Sequence, residues 1–145
     1  MQVRHILTVK GSAIVGIAPT ATLAEAAALL SEKRIGAVLA RDGDGGLAGI
    51  LSERDVVRAL AADGAKALTH EVNRYLTRDV VTCGLGDTVE ELMEMMTSGR
   101  FRHVPVLDED GKLCGLVSIG DVVKNRIAET VREAEELRVY ISATA

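Results

Sequence analysis

The chain has 145 residues, 48% of them hydrophobic and 26% charged, which suits one compact domain or two small subdomains. Aromatic residues make up only 2%, so a core has to be built from Ala, Val, Leu and Ile. The formal net charge of -4 weighs against general binding of nucleic acids. The sequence has two cysteines and no C-x-x-C pair, which weighs against a disulfide framework or a zinc site. No stretch has the ~18 uninterrupted apolar residues of a membrane span. We therefore expect a reduced, cytoplasmic setting.

The first half of the chain predicts alternating helices and strands. Thr22 and Glu25 form a capping box, in which the hydroxyl and the carboxylate each satisfy a free backbone N–H at a helix start. Gly64 is placed to end the last helix of this half. The predicted elements are a helical turn at Val3–Val9, a strand at Ala13–Ile17, a helix from Thr22 to about Lys33, strands at Ala37–Arg41 and Leu47–Leu51, and a helix at Glu53–Ala62.

The second half predicts the same order after a connection at Lys66–Leu76, whose later part we expect to be helical. Thr88 and Glu91 form another capping box, and Gly99 is the expected C-cap. The last helix has apolar residues at helical spacing as far as Tyr140, so it either outruns its domain and meets a second subunit or folds along its own surface. The predicted elements are a strand at Val80–Cys83, a helix at Leu92–Ser98, strands at His103–Leu107 and Leu113–Val117, and a helix from Ile119.

The two halves are related by an internal repeat with an offset of 66 residues. Between Thr22–Val57 and Thr88–Val123, 13 of 36 aligned positions are identical without a gap. Each half alone is too small to bury a good core. We therefore expect two halves packed about a pseudo-twofold axis.

Each repeat contains the junction Gly-x-x-Ser-x-x-Asp-Val-Val, at Gly49–Val57 and at Gly115–Val123. A strand end, a hydroxyl that caps the next helix and a carboxylate follow one another directly. Free N–H groups at a helix start can hold a phosphate, and a carboxylate accepts two parallel O–H donors such as the hydroxyls of a sugar. The alternative is that each Ser-x-x-Asp is only a capping box, which leaves the glycine of both copies unexplained.

The predicted order is strand, helix, strand, strand and helix, and it occurs twice in tandem with this junction. This order resembles the cystathionine-β-synthase (CBS) domain, and two copies resemble a CBS pair, or Bateman module. The resemblance covers about Lys10 to Ile127 and is closest to the small stand-alone bacterial CBS-pair proteins. It implies an α+β fold of two β-α-β-β-α repeats with an extra N-terminal turn and a long C-terminal helix. The expected boundaries are 10–65 for repeat one, 66–78 for the connection, 79–127 for repeat two and 128–145 for the C-terminal helix extension.

The resemblance also implies roles for the junction residues. Asp55 and Asp121 match the ribose-binding aspartate of the family, and Ser52 and Ser118 stand at the helix start where a phosphate would lie.

The phosphate cation is expected to differ between the repeats. Repeat one has Arg54 in the first turn of its helix, whereas repeat two has Gly120 at that position. For repeat two the candidates are Arg100, Arg102 and His103, with a solvated helix end as the alternative role of Arg100. We therefore expect two sites of unequal affinity.

The base is expected to meet a different surface in each repeat. Ile35, Gly36 and Ala37 offer small apolar room in repeat one, where repeat two has Phe101, itself a candidate for the core, followed by Arg102 and His103. In this family the edge of adenine is usually read by backbone groups of the first strand. The matching positions run from Ser12 to Val15 and from Asp79 to Val81.

The resemblance implies a non-catalytic regulatory module that binds adenine nucleotides in the cleft between its repeats and signals through conformational or oligomeric change. AMP, ADP and ATP are the expected ligands, with NAD(H) or S-adenosylmethionine as further candidates, and no cofactor or metal is required. A homodimer and an unidentified regulated protein are the expected partners, without a membrane. The alternatives are a nucleotide-independent dimerisation or scaffold protein and, with less support, a nucleic-acid binder.

Overall fold

The computed structural model describes residues 1–99 and 101–144. The chain divides into two compact units. The first-repeat unit comprises Ala13–Val81 with Asp110–Cys114, and the second-repeat unit comprises Met1–Ser12, Thr82–Glu109 and Gly115–Ala145. Each unit is described by itself below.

The helices and strands follow the predicted order within the described part of the chain. The helices are α1 Val3–Lys10, α2 Leu23–Lys33, α3 Glu53–Asp63, α4 Val89–Gly99 and α5 Ile119–Thr144, with short 3-10 helices at Gly64–Thr69 and Val72–Arg74. The strands are β1 Gly16–Ile17, β2 Ala37–Arg41, β3 Leu47–Ser52, β4 Cys83–Gly84, β5 His103–Leu107 and β6 Leu113–Ser118. The repeated β-α-β-β-α order and the long C-terminal helix are confirmed.

The first-repeat unit is built on a three-stranded sheet in the order β1-β2-β3. β1 runs parallel to β2, with Gly16 opposite Leu39, and β2 runs antiparallel to β3, with Ala37 opposite Ser52. The sheet, α2, α3 and both 3-10 helices contribute to an aliphatic core, in agreement with the scarcity of aromatic residues. Its buried members are Leu23, Ala26, Leu30, Val38, Leu51, Ala59, Ala67 and Val72.

The second-repeat unit repeats this sheet as β4-β5-β6, with Cys83 of β4 parallel to Val106 of β5. The N-terminal helix α1 also belongs to this unit, where the backbone N–H of Val3 donates to Asp87 O at 2.9 Å. The predicted helical turn at Val3–Val9 is thus a complete helix. Buried residues of the unit include Val3, Ile6, Leu7, Val89, Leu92, Met96, Val104, Val106, Val117 and Val122.

Local signals located the starts of α2, α3 and α5 well, whereas α4 begins at Val89, directly after its capping residue Thr88 and before the predicted Leu92. The capping box of Thr22 and Glu25 is present, and Glu91 N–H donates to Thr88 Oγ1 at 3.1 Å. Gly64 caps the end of α3, as predicted. Gly99 is the last residue of α4 rather than a residue beyond it.

The first strand of each repeat is shorter than predicted. Ala13–Ile17 is reduced to Gly16–Ile17, and Val80–Cys83 gives way to Cys83–Gly84. The pairing of β1 with β2 and of β4 with β5 covers two residues of each short strand. Composition alone overestimated the length of the ladder, because how far a strand extends depends on its pairing context as well as on its residue types. The later part of the connection is helical, as predicted, as a short 3-10 helix at Val72–Arg74, and another 3-10 helix at Gly64–Thr69 precedes it.

The C-terminal helix α5 extends well past its buried contacts. It has 26 residues, or roughly 39 Å at 1.5 Å per residue. Val122 is its buried residue within the described range, and residues 130–144 are all exposed. The alternative in which this helix folds along the surface of its own chain therefore finds no support. No helix in the described residues has the length and apolar character needed to cross a membrane.

Candidate nucleotide-binding sites

In the first-repeat unit, β3 passes directly into α3 at Ser52. The Ser52 backbone N–H donates to Asp55 Oδ2 at 2.8 Å, and its hydroxyl donates to the same oxygen at 3.1 Å. In return the Asp55 N–H donates to Ser52 Oγ at 3.3 Å. The capping-box alternative is therefore correct as far as it goes, since serine and aspartate do cap α3.

The second-repeat unit reproduces this arrangement where β6 passes into α5. The Ser118 N–H and hydroxyl donate to Asp121 Oδ2 at 2.9 and 3.0 Å, and the Asp121 N–H donates to Ser118 Oγ at 3.2 Å. Each hydrogen bond that Ser52 or Ser118 donates to its aspartate ends on Oδ2. Because a carboxylate has two acceptor oxygens, capping leaves Oδ1 of Asp55 and of Asp121 for a further donor.

The strand beside each junction adds a backbone contact to the start of the helix. Gly36 O accepts from Glu53 N at 3.0 Å, and Arg102 O accepts from Ile119 N at 2.8 Å at the matching place in the other unit. Ala37 is buried and lies opposite Ser52 in the sheet. The first-repeat unit therefore gathers Gly36, Ala37, Ser52 and Asp55 at one end of its sheet.

The remaining predicted residues are distributed as follows. Ile35 is half-buried, and Val15 O accepts from Leu39 N at 3.2 Å beside β1. Arg54 and Arg102 are exposed, whereas His103 is half-buried at the start of β5. Arg100 lies outside the described residues. Ser12 falls in the second-repeat unit and Asp79 and Val81 in the first, so each belongs to the unit opposite its own repeat.

Sequence reasoning missed Lys10. This residue ends α1, and its Nζ donates to Asp121 Oδ2 at 2.6 Å and to Leu116 O at 2.7 Å. Burial raises the pKa of Asp121, but the hydrogen bonds from Lys10 and Ser118 and the charge of Lys10 outweigh it, so that the pKa lies below its ordinary value. Asp121 is thus a charged carboxylate already held by a cation. No ion pair to Asp55 occurs among the described residues.

A second internal repeat accounts for the position of Lys10. The segment 1–10 matches 70–79 at an offset of 69, not 66, with Val3, Leu7 and Thr8 identical to their counterparts. The two segments make equivalent backbone bonds: Val89 N donates to Met1 O at 2.9 Å in one unit, and Leu23 N donates to His70 O at 2.9 Å in the other. A search for repeats at more than one offset would have found this relation. It also shows that Lys10 corresponds to Asp79.

The glycine that opens each junction has a steric cause. A Cβ on Gly115 would lie 2.7 Å from Leu7 Cδ2, and a Cβ on Gly49 would lie 2.7 Å from Thr77 O and 3.2 Å from Leu76 Cβ. Both glycines therefore make room for segments 1–10 and 70–79, which we call the lead-in segments, rather than for a ligand. This steric requirement explains the glycine of each junction, which capping alone left unexplained.

Other candidate chemistry lies away from the junctions. A cavity of about 400 Å³ contains none of the predicted ligand-binding residues and lies at and just before the 3-10 helix Val72–Arg74, where it is lined by His70, Glu71, Asn73 and Arg74. No group of three or more His, Cys, Asp or Glu side chains in the described ranges is arranged to hold a metal ion. Cys83 is buried and Cys114 half-buried on their strands.

Comparison with known proteins agrees with this architecture. The CBS protein ATU1752 of Agrobacterium tumefaciens has a similar structure at a TM-score of 0.84 and 47% identity, over 87% of this chain and 99% of that one. PAE2072 of Pyrobaculum aerophilum, a CBS domain protein complexed with AMP, is 28% identical with a TM-score of 0.74, over 83% and 89%. The mitochondrial CBS domain-containing protein CBSX3 of Arabidopsis thaliana is 33% identical over 83% of this chain.

The chain spans 64% and 60% of the lengths of the first two curated relatives it matches. The family model described as CBS domain matches residues 4–62 and again residues 72–128, which together are well over half of the chain. The chain therefore belongs to the CBS domain family and carries two copies of the domain in tandem.

Proposed function

We propose that this chain is a non-catalytic regulatory module that binds adenine nucleotides at its two Ser-x-x-Asp junctions. AMP, ADP and ATP are the proposed ligands, with NAD(H) and S-adenosylmethionine as further candidates. Binding changes the conformation or the oligomeric state of the module, which then binds or releases a regulated protein.

One observation carries the proposal. Within the part of the chain that the structure describes, the bonds to both aspartates end on Oδ2 alone, so the same scaffold offers the second carboxylate oxygen beside a helix start in each unit. The oxygen suits a ribose hydroxyl, and the helix start suits a phosphate. The AMP complex of the relative from Pyrobaculum aerophilum supports adenine nucleotides as the ligand class.

Calorimetric titration tests the proposal. AMP, ATP, NADH and S-adenosylmethionine are titrated separately into the wild type, Asp55→Asn, Asp121→Asn and the double variant. Asn keeps an oxygen for the cap but loses the charge and half of the acceptor capacity, so we expect folded proteins in which each single change weakens one site. Absence of heat and of a thermal shift with all four ligands would exclude nucleotide sensing and leave the scaffold function.

The sensing function and the scaffold alternative both involve a dimer of this chain. α5 exposes a stripe of large apolar residues at helical spacing, and they are between 46% and 59% exposed: Val123, Ile127, Val131, Leu137 and Ile141. Apolar stripes of this kind occur where a helix packs against another helix. We propose a homodimer in which this stripe is buried, and the nucleotide titration separates a sensing dimer from an indifferent one.

A further inference from the structure

The contact between Lys10 and Asp121 places a cation on one proposed ribose site and not on the other. Lys10 Nζ lies 2.6 Å from Asp121 Oδ2, and the two side chains are 36% and 20% exposed, so water and small molecules reach both. The ammonium group also donates to a main-chain oxygen, Leu116 O, at 2.7 Å. Lys10 is therefore directed at the junction by two acceptors rather than extended into solvent.

Backbone bonds at the start of α1 and the packing of Leu7 hold this helix in place. Arg4 N donates to Leu85 O at 3.1 Å, Val89 N donates to Met1 O at 2.9 Å, and Leu7 packs against Gly115. These contacts leave only the flexible stem of Lys10 to move. A lysine stem has four rotatable bonds, so its ammonium can shift by a few ångströms while α1 stays in place.

The position aligned with Lys10 in the first-repeat unit carries the opposite charge. Residues 70–73 are bound to their unit by the same backbone bonds as residues 1–4, and the offset of 69 that relates Leu7 to Leu76 aligns Lys10 with Asp79, although Thr77 pairs with Ile50 where Thr8 lies within α1. Asp79 is exposed. One junction thus has a cation beside its aspartate, and the lead-in to the other junction ends in an anion.

We propose that Lys10 makes the Asp121 site selective for phosphorylated nucleosides over neutral ones. This inference rests on the proposed function. A ribose that binds Oδ1 of Asp121 meets a carboxylate whose charge Lys10 already balances through Oδ2, which weakens the hydrogen bond to the ribose. A nucleotide also brings a phosphate to which the ammonium can donate, and this charged hydrogen bond offsets the loss. A neutral nucleoside brings no acceptor for the ammonium and binds without that compensation.

The test compares AMP with adenosine at the Asp121 site alone. Asp55→Asn is the background, and Lys10→Met and Lys10→Arg are added to it. For each protein the dissociation constants of both ligands are measured by titration calorimetry at one salt concentration. We expect Lys10→Met to reduce the preference for AMP over adenosine about tenfold, the scale of one hydrogen bond to a charged group. Lys10→Arg should keep most of the preference.

A further variant keeps the result specific. Arg132→Met removes one positive charge from an exposed position on α5, roughly 16 Å along the helix from Asp121, and should leave the preference unchanged because a charge effect over that distance is screened by salt.

The outcomes are distinct. An unchanged AMP preference in Lys10→Met, or an equal loss in Arg132→Met, would overturn the role of Lys10 while nucleotide binding stands. Loss of all binding in Asp55→Asn would also overturn it, since the Asp121 site would then not bind. Absence of binding in the wild type would overturn both this inference and the proposed function.

Discussion

Leu7 and Gly115 lie so close that a Cβ on the glycine would be 2.7 Å from Leu7 Cδ2 and 2.8 Å from Cδ1. The helix that ends in Lys10 is therefore seated on the strand that leads to Asp121. Its counterpart contact, between Leu76 and Gly49, has the backbone oxygen of Thr77 in the same position. The proposed ligand sites and the lead-in segments are thus built as one packing unit in each half.

Alanine at the two junction glycines should destabilise the protein unequally. At Gly115 the obstacle is a flexible side chain, whereas at Gly49 it is Thr77 O, which pairs with Ile50 and has little freedom to move. We expect Gly49→Ala to lower the free energy of unfolding by about 1–3 kcal/mol and Gly115→Ala by less. Urea denaturation measures both.

Gly43→Ala is the control for this pair, because a Cβ there meets no atom within 4 Å. Combining Leu7→Ala with Gly115→Ala should cost less than the sum of the single changes, since the smaller side chain makes room for the new methyl group. Equal costs for Gly49→Ala and Gly115→Ala would contradict the steric explanation.

Removing the capping hydroxyls should separate stability from binding. Ser118→Ala leaves Asp121 in place but removes the Oγ that bonds it, and should lower the free energy of unfolding by about 1 kcal/mol. Thr88→Ala removes a capping hydroxyl outside the proposed site at similar cost. Paired urea denaturation and AMP titration check this: Ser118→Ala should weaken AMP binding, and Thr88→Ala should not. Equal AMP affinity in the two variants would remove Ser118 from the site.

The ion pair of Lys10 and Asp121 should make stability depend on pH in the acid range. The pKa of Asp121 is lower in the folded chain than its ordinary value, so the unfolded chain binds the proton more tightly. The stabilisation is therefore present above about pH 4 and is lost as the pH falls through the folded pKa.

Lys10→Met measures this contribution. At pH 7 we expect the variant to be less stable than the wild type by no more than about 1 kcal/mol, because the pair is partly exposed and screened by water. Urea denaturation at pH 7 and near pH 3 should show the difference between the two proteins shrinking at the lower pH. A constant difference at both pH values would mean that Lys10 contributes through packing alone.

The stripe on α5 should control the oligomeric state. Val131 and Leu137 are 52% and 59% exposed in the isolated chain, so a charge at either position costs the monomer little but would be buried in the proposed dimer. We expect Val131→Glu with Leu137→Glu to convert a dimer to a monomer in light scattering coupled to gel filtration. Glu136→Ala on the same helix should have no effect. A wild type that is monomeric at micromolar concentration would exclude this interface.

The sequence by itself determined the elements whose signals are local. The capping boxes and helical periodicity located α2 and α3 to within a residue, and turn residues located the two hairpins, since these features depend on neighbours within a few positions. The offset of 66 then paired Asp55 with Asp121 and Ser52 with Ser118.

Only the tertiary structure decided which distant segments complete those junctions. Lys10 and Asp121 are 111 positions apart, and nothing local to either residue predicts that α1 belongs with the second repeat. The lengths of β1 and β4 were overestimated for the same reason, because the length of these strands depends on their pairing partners as well as on their own composition. The duplicated junction is a local property of the chain, but the cation that distinguishes its two copies arrives through long-range packing.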